Sequence, residues 1–167
     1  ATFNGELRIN SLGAFTLNDG LLTTKTVRVG MRGGSGTATV NINGGTANLD
    51  YISFGDASGI VGEGYQTAGD VTVTRQFRVG HYPNNVSTYV MDGGTLRVTS
   101  TSTTNPFQST EYNGTIYLGI DDTGVFIQNG GDVSAQALVL DNRGNTTGTD
   151  TYTMTGGTLT LGKWGIQ

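Results

Sequence analysis

Two aspartates have the spacing that comes closest to that of an active site. Asp70 and Asp132 each follow a glycine at the same place in a repeated phrase, two repeats apart. If each repeat is one turn of strands stacked about 4.8 Å apart, the two carboxylates lie roughly 10 Å apart. This is the outer limit for the carboxylate pair of an inverting glycosidase. Aspartate is also a common turn residue, and no base or cation converges on the pair, so we predict no catalytic residue and no enzyme.

A second set of carboxylates follows strand-like segments in successive or nearly successive repeats. Stacked loop carboxylates offer the oxygen ligands that calcium takes in proteins, whereas aspartate in a loop also caps turns. Both interpretations stay open, and calcium is the cofactor for which the sequence offers ligands. With no cysteine and one histidine, His81, the chain cannot build the usual zinc site. The set consists of Asp56, Asp121, Asp122 and Asp141, of which the last three are the candidate calcium ligands.

Arginines and aromatic side chains form a candidate binding surface. Arg28 and Arg78 occupy the same outward position in two repeats, and Tyr117 occupies it in a third. Such a stripe suits contact with an acidic glycan, although charges on strands also suppress aggregation without binding any ligand. The longest predicted loop, residues 99–115, carries two further aromatic candidates. The candidate ligand-binding residues are therefore Arg28, Arg78, Phe107, Tyr112 and Tyr117.

A repeated ten-residue phrase must position these side chains. At residues 152–161 it reads Y-T-M-T-G-G-T-L-T-L, with large side chains at every second position on both sides of a Gly-Gly pair. Alternation with period two predicts strands with one buried face, and glycine allows the backbone to bend between them. The corner glycines, at intervals of 15, 25, 24, 25, 37 and 26 residues, are Gly5, Gly20, Gly45, Gly69, Gly94, Gly131 and Gly157. A period near 25 residues predicts a solenoid.

Three alternating segments in each repeat predict the fold. One segment lies before the corner, one follows it, and a third of the form apolar-x-apolar completes the turn. Three short strands per turn are the geometry of a parallel β-helix, which is right-handed by the usual rule for parallel crossovers. We therefore predict one all-β domain over residues 1–167, a right-handed parallel β-helix (β-solenoid) of about six turns of roughly 25 residues, with a loop insertion at 99–115.

Two inward positions break the apolar pattern. Gln66 and Gln128 occupy a column that is otherwise filled by leucine, isoleucine and methionine. A buried amide needs hydrogen-bond partners, so we expect both side chains to bond to backbone groups at the bend. A role in binding a ligand is the alternative.

Composition and charge exclude several classes of protein. Glycine is frequent, with 28 residues, and proline is rare, with 2, but the Gly-X-Y period of collagen is missing. The regular apolar spacing is not that of a disordered chain. A net charge of −4 lacks the basic footprint of a nucleic-acid-binding protein. No apolar run is long enough to span a membrane as a helix.

Three copies of the repeated phrase resemble a known type of bacterial repeat. The phrases Y-V-M-D-G-G-T-L, F-I-Q-N-G-G-D-V and Y-T-M-T-G-G-T-L resemble the G-G-T-L β-strand repeats of bacterial surface proteins of the autotransporter and PEP-CTERM-associated types. The resemblance extends over residues 5–167, with departures at the short first interval and at the 99–115 insertion. It implies an exported bacterial β-helix, extracellular or at the cell surface. Such repeats are mostly spacers, adhesins or matrix components.

These observations predict a non-enzymatic structural or adhesive module. The sequence shows no capping helix at either end of the repeat array, and uncapped solenoid ends carry open strand edges. We therefore expect end-to-end pairing with a second copy into a fibre or filament, or pairing with adjoining turns of a longer chain. The alternative is a carbohydrate-binding β-helix with glycans as partners. A polysaccharide-cleaving β-helix is a third class.

Overall fold

The computed structural model describes residues 2, 5–32, 34–100, 113–141 and 148–167. Within these ranges the chain is built from fourteen strands. None of the described segments is a helix long and apolar enough to cross a membrane. The strands are β1 (Glu6–Ile9), β2 (Ala14–Leu17), β3 (Leu21–Val29), β4 (Gly36–Ile42), β5 (Thr46–Phe54), β6 (Ile60–Gln66), β7 (Asp70–Val79), β8 (Val86–Met91), β9 (Thr95–Val98), β10 (Thr115–Leu118), β11 (Thr123–Gln128), β12 (Asp132–Leu140), β13 (Thr151–Met154) and β14 (Thr158–Ile166).

The strands stack into two parallel sheets. The first sheet has the order β1-β3-β5-β7-β10-β12-β14, with β9 also pairing with β7 and β12, and the second has the order β2-β4-β6-β8-β11-β13. Each strand therefore pairs with the equivalent strand of the next turn rather than with its neighbour in sequence. The result is an all-β, parallel β-solenoid of about five turns, with about 25 residues in each. The predicted solenoid fold is confirmed.

Strand register confirms the predicted spacing of the repeat. In the second sheet, successive members of one inward column are 25, 24, 25, 37 and 26 residues apart, as the later corner glycines are. The interval of 37 contains the insertion, which leaves the stacking of the flanking turns intact. The column consists of Phe15, Val40, Gly64, Tyr89, Phe126 and Tyr152.

At the Gly93–Gly94 corner, the two glycines have different roles. A Cβ atom on Gly93 would lie 2.6 Å from the carbonyl oxygen of Thr67 in the preceding turn. Gly94 has a φ of +79°, in the left-handed region that residues with side chains rarely adopt. The first glycine therefore allows successive corners to stack closely, and the second allows the chain to bend.

The second and third segments of a turn form one long, bent strand in β3, β5, β7, β12 and β14. In β7 the bend contains a β-bulge, because Thr74 and Arg75 together face the single residue Asp50 of β5. In the following turn the predicted insertion separates the two segments, so that they form β9 and β10. The candidates Phe107 and Tyr112 within it lie outside the described residues.

The prediction that Gly5 forms the first corner is wrong. β1 follows Gly5 and pairs with the third segment of the next turn, so that Ile9 faces Val29. The short first interval is therefore not a shortened turn. An alternating Leu-x-Ile segment has the same pattern in the second and third positions of a turn, and only strand pairing distinguishes them.

The interior contains two buried amides whose hydrogen bonds are satisfied. The Nε2 atom of Gln66 donates to the carbonyl oxygens of Gly69 and Thr95, at 3.1 and 3.0 Å. Its Oε1 atom accepts a hydrogen bond from the Tyr89 hydroxyl at 2.7 Å. Gln128 repeats this arrangement two corners further along. Its partners are Gly131, Thr158 and Tyr152. Bonding to the bend backbone is confirmed, and the tyrosine partner is an addition from the structure.

Candidate functional site

The predicted arginine column lies on the outer face of the first sheet. Arg28, Ser53 and Arg78 are in register on three successive strands, and Tyr117 continues the column. The Tyr117 side chain is only 2 % exposed and belongs to a small apolar cluster outside the main core. It therefore does not line an open surface. Alternation sets the outward direction of a side chain, but exposure depends on what packs against the strand.

A polar groove of about 460 Å³ opens beside this column. Tyr51 lines it from the outward position two residues before Ser53, and Gln76 holds the matching position on the next strand. Sequence reasoning missed both residues, although the alternation that identified the arginine column also places Tyr51 on this face. Both predicted arginines line the groove, together with Thr26, Arg75, His81 and Tyr82.

Two guanidinium groups contact the Tyr51 ring. The Cζ atom of Arg78 is 4.9 Å from the ring centroid, and that of Arg28 is 5.8 Å from it. Both distances allow cation–π attraction, which stabilises a partly desolvated pair by about 1 kcal/mol. Burial raises the pKa of the Tyr51 hydroxyl, although the Arg78 charge opposes the shift. At neutral pH this hydroxyl is therefore a neutral donor and acceptor.

A buried carboxylate, Asp56, connects the arginine column to the following loop. Its Oδ2 atom accepts a hydrogen bond from Arg28 at 2.6 Å, and its Oδ1 atom lies 2.7 Å from His81 Nδ1. Burial would raise the pKa of Asp56, but the hydrogen bonds from His81 and Arg28 outweigh it and hold the pKa below its usual value. Arg28 also forms an ion pair with Glu6, so its charge is balanced by two carboxylates.

Arg78 contacts a histidine and a side-chain amide instead. Its Nη1 atom lies 2.8 Å from His81 Nε2, and its Nη2 atom donates to the side-chain oxygen of Gln76. Because Asp56 accepts from Nδ1, the geometry assigns the proton of a neutral His81 to Nδ1 and leaves Nε2 as the acceptor for Arg78. Among the described residues, neither Arg78 nor Arg75 forms an ion pair with a carboxylate.

We expect Asp56→Asn to make the solenoid less stable at neutral pH but not in acid. The lowered pKa means that the carboxylate stabilises the fold above the unfolded-state pKa, near 3.9, and that this stability is lost as the pH falls through the folded-state pKa. At pH 7 the variant should lose about 2 kcal/mol, typical of hydrogen bonds to a charged group. Urea denaturation at pH 7 and pH 3 measures the difference.

Asp70→Asn is the matched control, because the Asp70 side chain is 57 % exposed. At pH 7 the free energy of unfolding of Asp70→Asn should differ from that of the natural protein by no more than about 0.5 kcal/mol. A deficit of Asp56→Asn that is equally large at both pH values would show that the carboxylate charge is not what stabilises this loop.

The candidate catalytic pair lies in the predicted outer column at the corner. Asp70 and Asp132 flank Thr95 in register, so they are two strands apart. Each accepts a hydrogen bond from a threonine of the next turn: Thr95 bonds to Asp70, and Thr158 bonds to Asp132 at 2.6 Å. Both carboxylates therefore brace neighbouring corners. The full column consists of Thr46, Asp70, Thr95, Asp132 and Thr158.

The calcium candidates occupy turns. Asp122 accepts hydrogen bonds from the backbone N–H groups of Asn85 and Thr123, the latter at 2.8 Å. Asp141 has a left-handed φ of 55°, a conformation that aspartate tolerates in turns. In the described ranges, which include Asp121, no group of three or more metal-ligating side chains is arranged to hold an ion. These contacts favour the turn interpretation for Asp122 and Asp141.

Comparison of the chain with protein-family models, curated proteins and solved structures returned no match. The resemblance to bacterial G-G-T-L repeat proteins therefore stays a prediction. The structure shows an all-β parallel solenoid, and its outer face carries a groove lined by three arginines, two tyrosines and a histidine.

Proposed function

We propose that this chain is a non-enzymatic structural or adhesive module of a bacterial cell surface or extracellular matrix. The observation that carries the proposal is bracing between turns. Asn43 donates to Asn18 at 2.9 Å, and Asn129 donates to Asp92 at 2.8 Å, in each case across one turn at the corner. Thr155 continues the second ladder. Such ladders stiffen a rod, as a spacer or adhesin stalk requires. The location rests on the G-G-T-L resemblance.

Self-assembly is the second part of the proposal. Within the part of the chain that the structure describes, the outermost strands, β1 and β14 in one sheet and β2 and β13 in the other, each have a single neighbouring strand. Unpaired strand edges present N–H and C=O groups that can pair with another chain. At one end the apolar side chain of Ile166 is 62 % exposed, although it pairs in register with the core residue Leu138. A second copy, or adjoining turns of a longer chain, would cover this end.

We expect Ile166→Lys to convert filaments into short rods. A lysine at this inward position places a charge on the surface that the next layer would cover, and inward charges on edge strands block edge pairing. Negative-stain electron microscopy and sedimentation velocity measure the length distribution. Val86→Lys is the matched control, because Val86 is an exposed aliphatic residue on β8, in the interior of the second sheet.

Filaments that persist in Ile166→Lys would contradict pairing through this end. If the unmodified protein forms only short rods at every pH and salt concentration tested, end-to-end assembly of this chain is rejected. The rod would then be an internal section of a longer solenoid or a monomeric spacer.

Carbohydrate binding is a second candidate function, and the groove at Tyr51 favours it. An aromatic ring, a hydroxyl from Thr26 and the side-chain amide of Gln76 lie together on a strongly polar surface. Neutral hydrogen-bonding groups beside a ring suit the hydroxyl-rich faces of sugars. A glycan array with the purified protein tests this candidate independently of filament formation.

A further inference from the structure

We infer that the groove at Tyr51 selects an oxyanion, the carboxylate or sulfate group of an acidic glycan, and that Arg78 and Arg75 bind it. This inference rests on the second candidate function, carbohydrate binding. It adds a charge requirement that carbohydrate binding alone does not impose.

Charge balance distinguishes the arginines of the groove. Arg28 is paired with Asp56 and Glu6 and has little charge left to offer a ligand. Among the described residues, Arg78 and Arg75 form no such pair. A chain with a net charge of −4 therefore carries a local positive surface on one side of the solenoid. Two guanidinium groups that no described carboxylate neutralises attract anions and bind oxyanions in a forked geometry.

The guanidinium of Arg78 is positioned before any ligand arrives. Its two terminal nitrogens contact His81 Nε2 and the Gln76 side-chain oxygen, and its Cζ atom lies 4.9 Å from the centroid of the Tyr51 ring. Asp56 in turn orients His81. The Nε atom of Arg78 is buried and has no hydrogen-bond partner within the described ranges. Contacts with His81 and the Gln76 amide fix the direction of this cation, and no described carboxylate neutralises it, as a binding site for an anion requires.

The β-bulge of β7 adds the second cation. Thr74 and Arg75 occupy the length of one residue on the partner strand. A bulge of this kind changes the direction of the side chains that follow it. Arg75 lines the groove and is exposed, and its Nε atom donates to a neutral oxygen, that of Asn113, at 3.3 Å. The exposed arginine is placed to meet a ligand first, and the inner arginine to hold it.

Isothermal titration calorimetry with four probes at low salt tests the inference. The probes are a galacturonic acid hexamer, a sulfated dextran oligomer, neutral maltohexaose and a hexaglutamate peptide. We expect one or both acidic sugars to bind, and binding of the neutral hexamer and the peptide to be at least tenfold weaker. Losing a hydrogen bond to a charged group reduces affinity by about tenfold or more. Arg78→Gln and Arg75→Gln should therefore each reduce the affinity for the acidic sugar by that factor.

Arg97→Gln is the matched control, because it removes the same charge from an exposed arginine that does not line the groove. It should change affinity less than twofold. Thermal unfolding of each variant checks that the fold is intact, and Arg75→Gln decides the result if Arg78→Gln is unstable. Arg78→Lys should also lose affinity, because lysine keeps the charge but not the planar fork.

Three outcomes would overturn the inference. Equal losses in Arg97→Gln and the groove variants would show nonspecific attraction to the whole surface. Equal binding of hexaglutamate would assign the groove to acidic peptides. Equal binding of maltohexaose would retain carbohydrate binding and reject the oxyanion requirement. None of these results depends on filament length, so the structural proposal is judged separately.

Discussion

Replacing Gly64 with alanine is expected to reduce the free energy of unfolding by about 3 kcal/mol, the upper part of the usual range for overpacking a core. Gly64 lies in the inward column of the second sheet, and the Tyr89 ring of the next turn fills the space that a side chain would take. An alanine Cβ would lie 2.7 Å from Tyr89 Cε2 and 2.8 Å from Phe54 Cε1. Tyr89 also packs edge-on against Phe77, at 4.8 Å between centroids, so neither ring can move away freely.

Equilibrium urea denaturation followed by circular dichroism measures this loss. Gly34→Ala is the control, because a Cβ atom there would meet nothing within 4 Å, and it should change stability by no more than about 0.5 kcal/mol. Tyr89→Leu should remove most of the clash. If Gly64→Ala costs as much in a Tyr89→Leu background as in the natural protein, a clash with the ring is not the cause.

The buried pair of Gln66 and Tyr89 should also be strongly coupled, so that the two losses do not add. Gln66→Met, a residue that the same column contains elsewhere, leaves the Tyr89 hydroxyl buried without its partner. Tyr89→Phe leaves the Gln66 side-chain oxygen buried without its hydrogen-bond donor. Each single variant should lose about 1–3 kcal/mol, because a buried polar group without a partner retains its full desolvation cost. The double variant removes the unpaired hydroxyl that Gln66→Met leaves behind and should therefore be more stable than Gln66→Met alone.

A double-mutant cycle measured by urea denaturation tests the coupling. The second pair, Gln128 and Tyr152, is the comparison, because Tyr152 is only partly buried and water can replace its partner. Gln128→Met should therefore destabilise the fold less than Gln66→Met. Additive losses in the Gln66–Tyr89 cycle would mean that each residue acts through packing and that their hydrogen bond contributes little.

Both predictions depend on a residue and its neighbour one turn later, and this is the scale at which the sequence was most informative. The 25-residue spacing correctly aligned Gly64 with Tyr89, and Asp70 with Thr95. Register follows from the repeat because a shift by one residue would turn every inward side chain outward. The pattern was uninformative where two segments look alike, and for that reason Gly5 was wrongly taken as a corner.

The groove was predictable only in part. Arg28 and Arg78 were identified because their outward positions repeat, but the same pattern also selected Tyr117, which is buried. His81 and Asp56 were assigned to separate loops, although they lie 25 residues apart and each follows the glycine that ends a third segment, so the repeat places them one turn apart. Their contact depends on how the two loops fold back over the sheet after strands of adjacent turns end.

Local chemistry therefore determined the strands, their alternation and the stacking of equivalent positions, because side-chain direction in a strand has a period of two and Gly-Gly corners recur at a regular interval. The tertiary structure decided which outward residues are open to solvent and which charges are neutralised. Those properties arise from contacts between turns, such as the pairing of Arg28 with Asp56 and the bulge that carries Arg75. These contacts join residues more than twenty positions apart, and no local pattern encodes the loop conformations that bring such residues together.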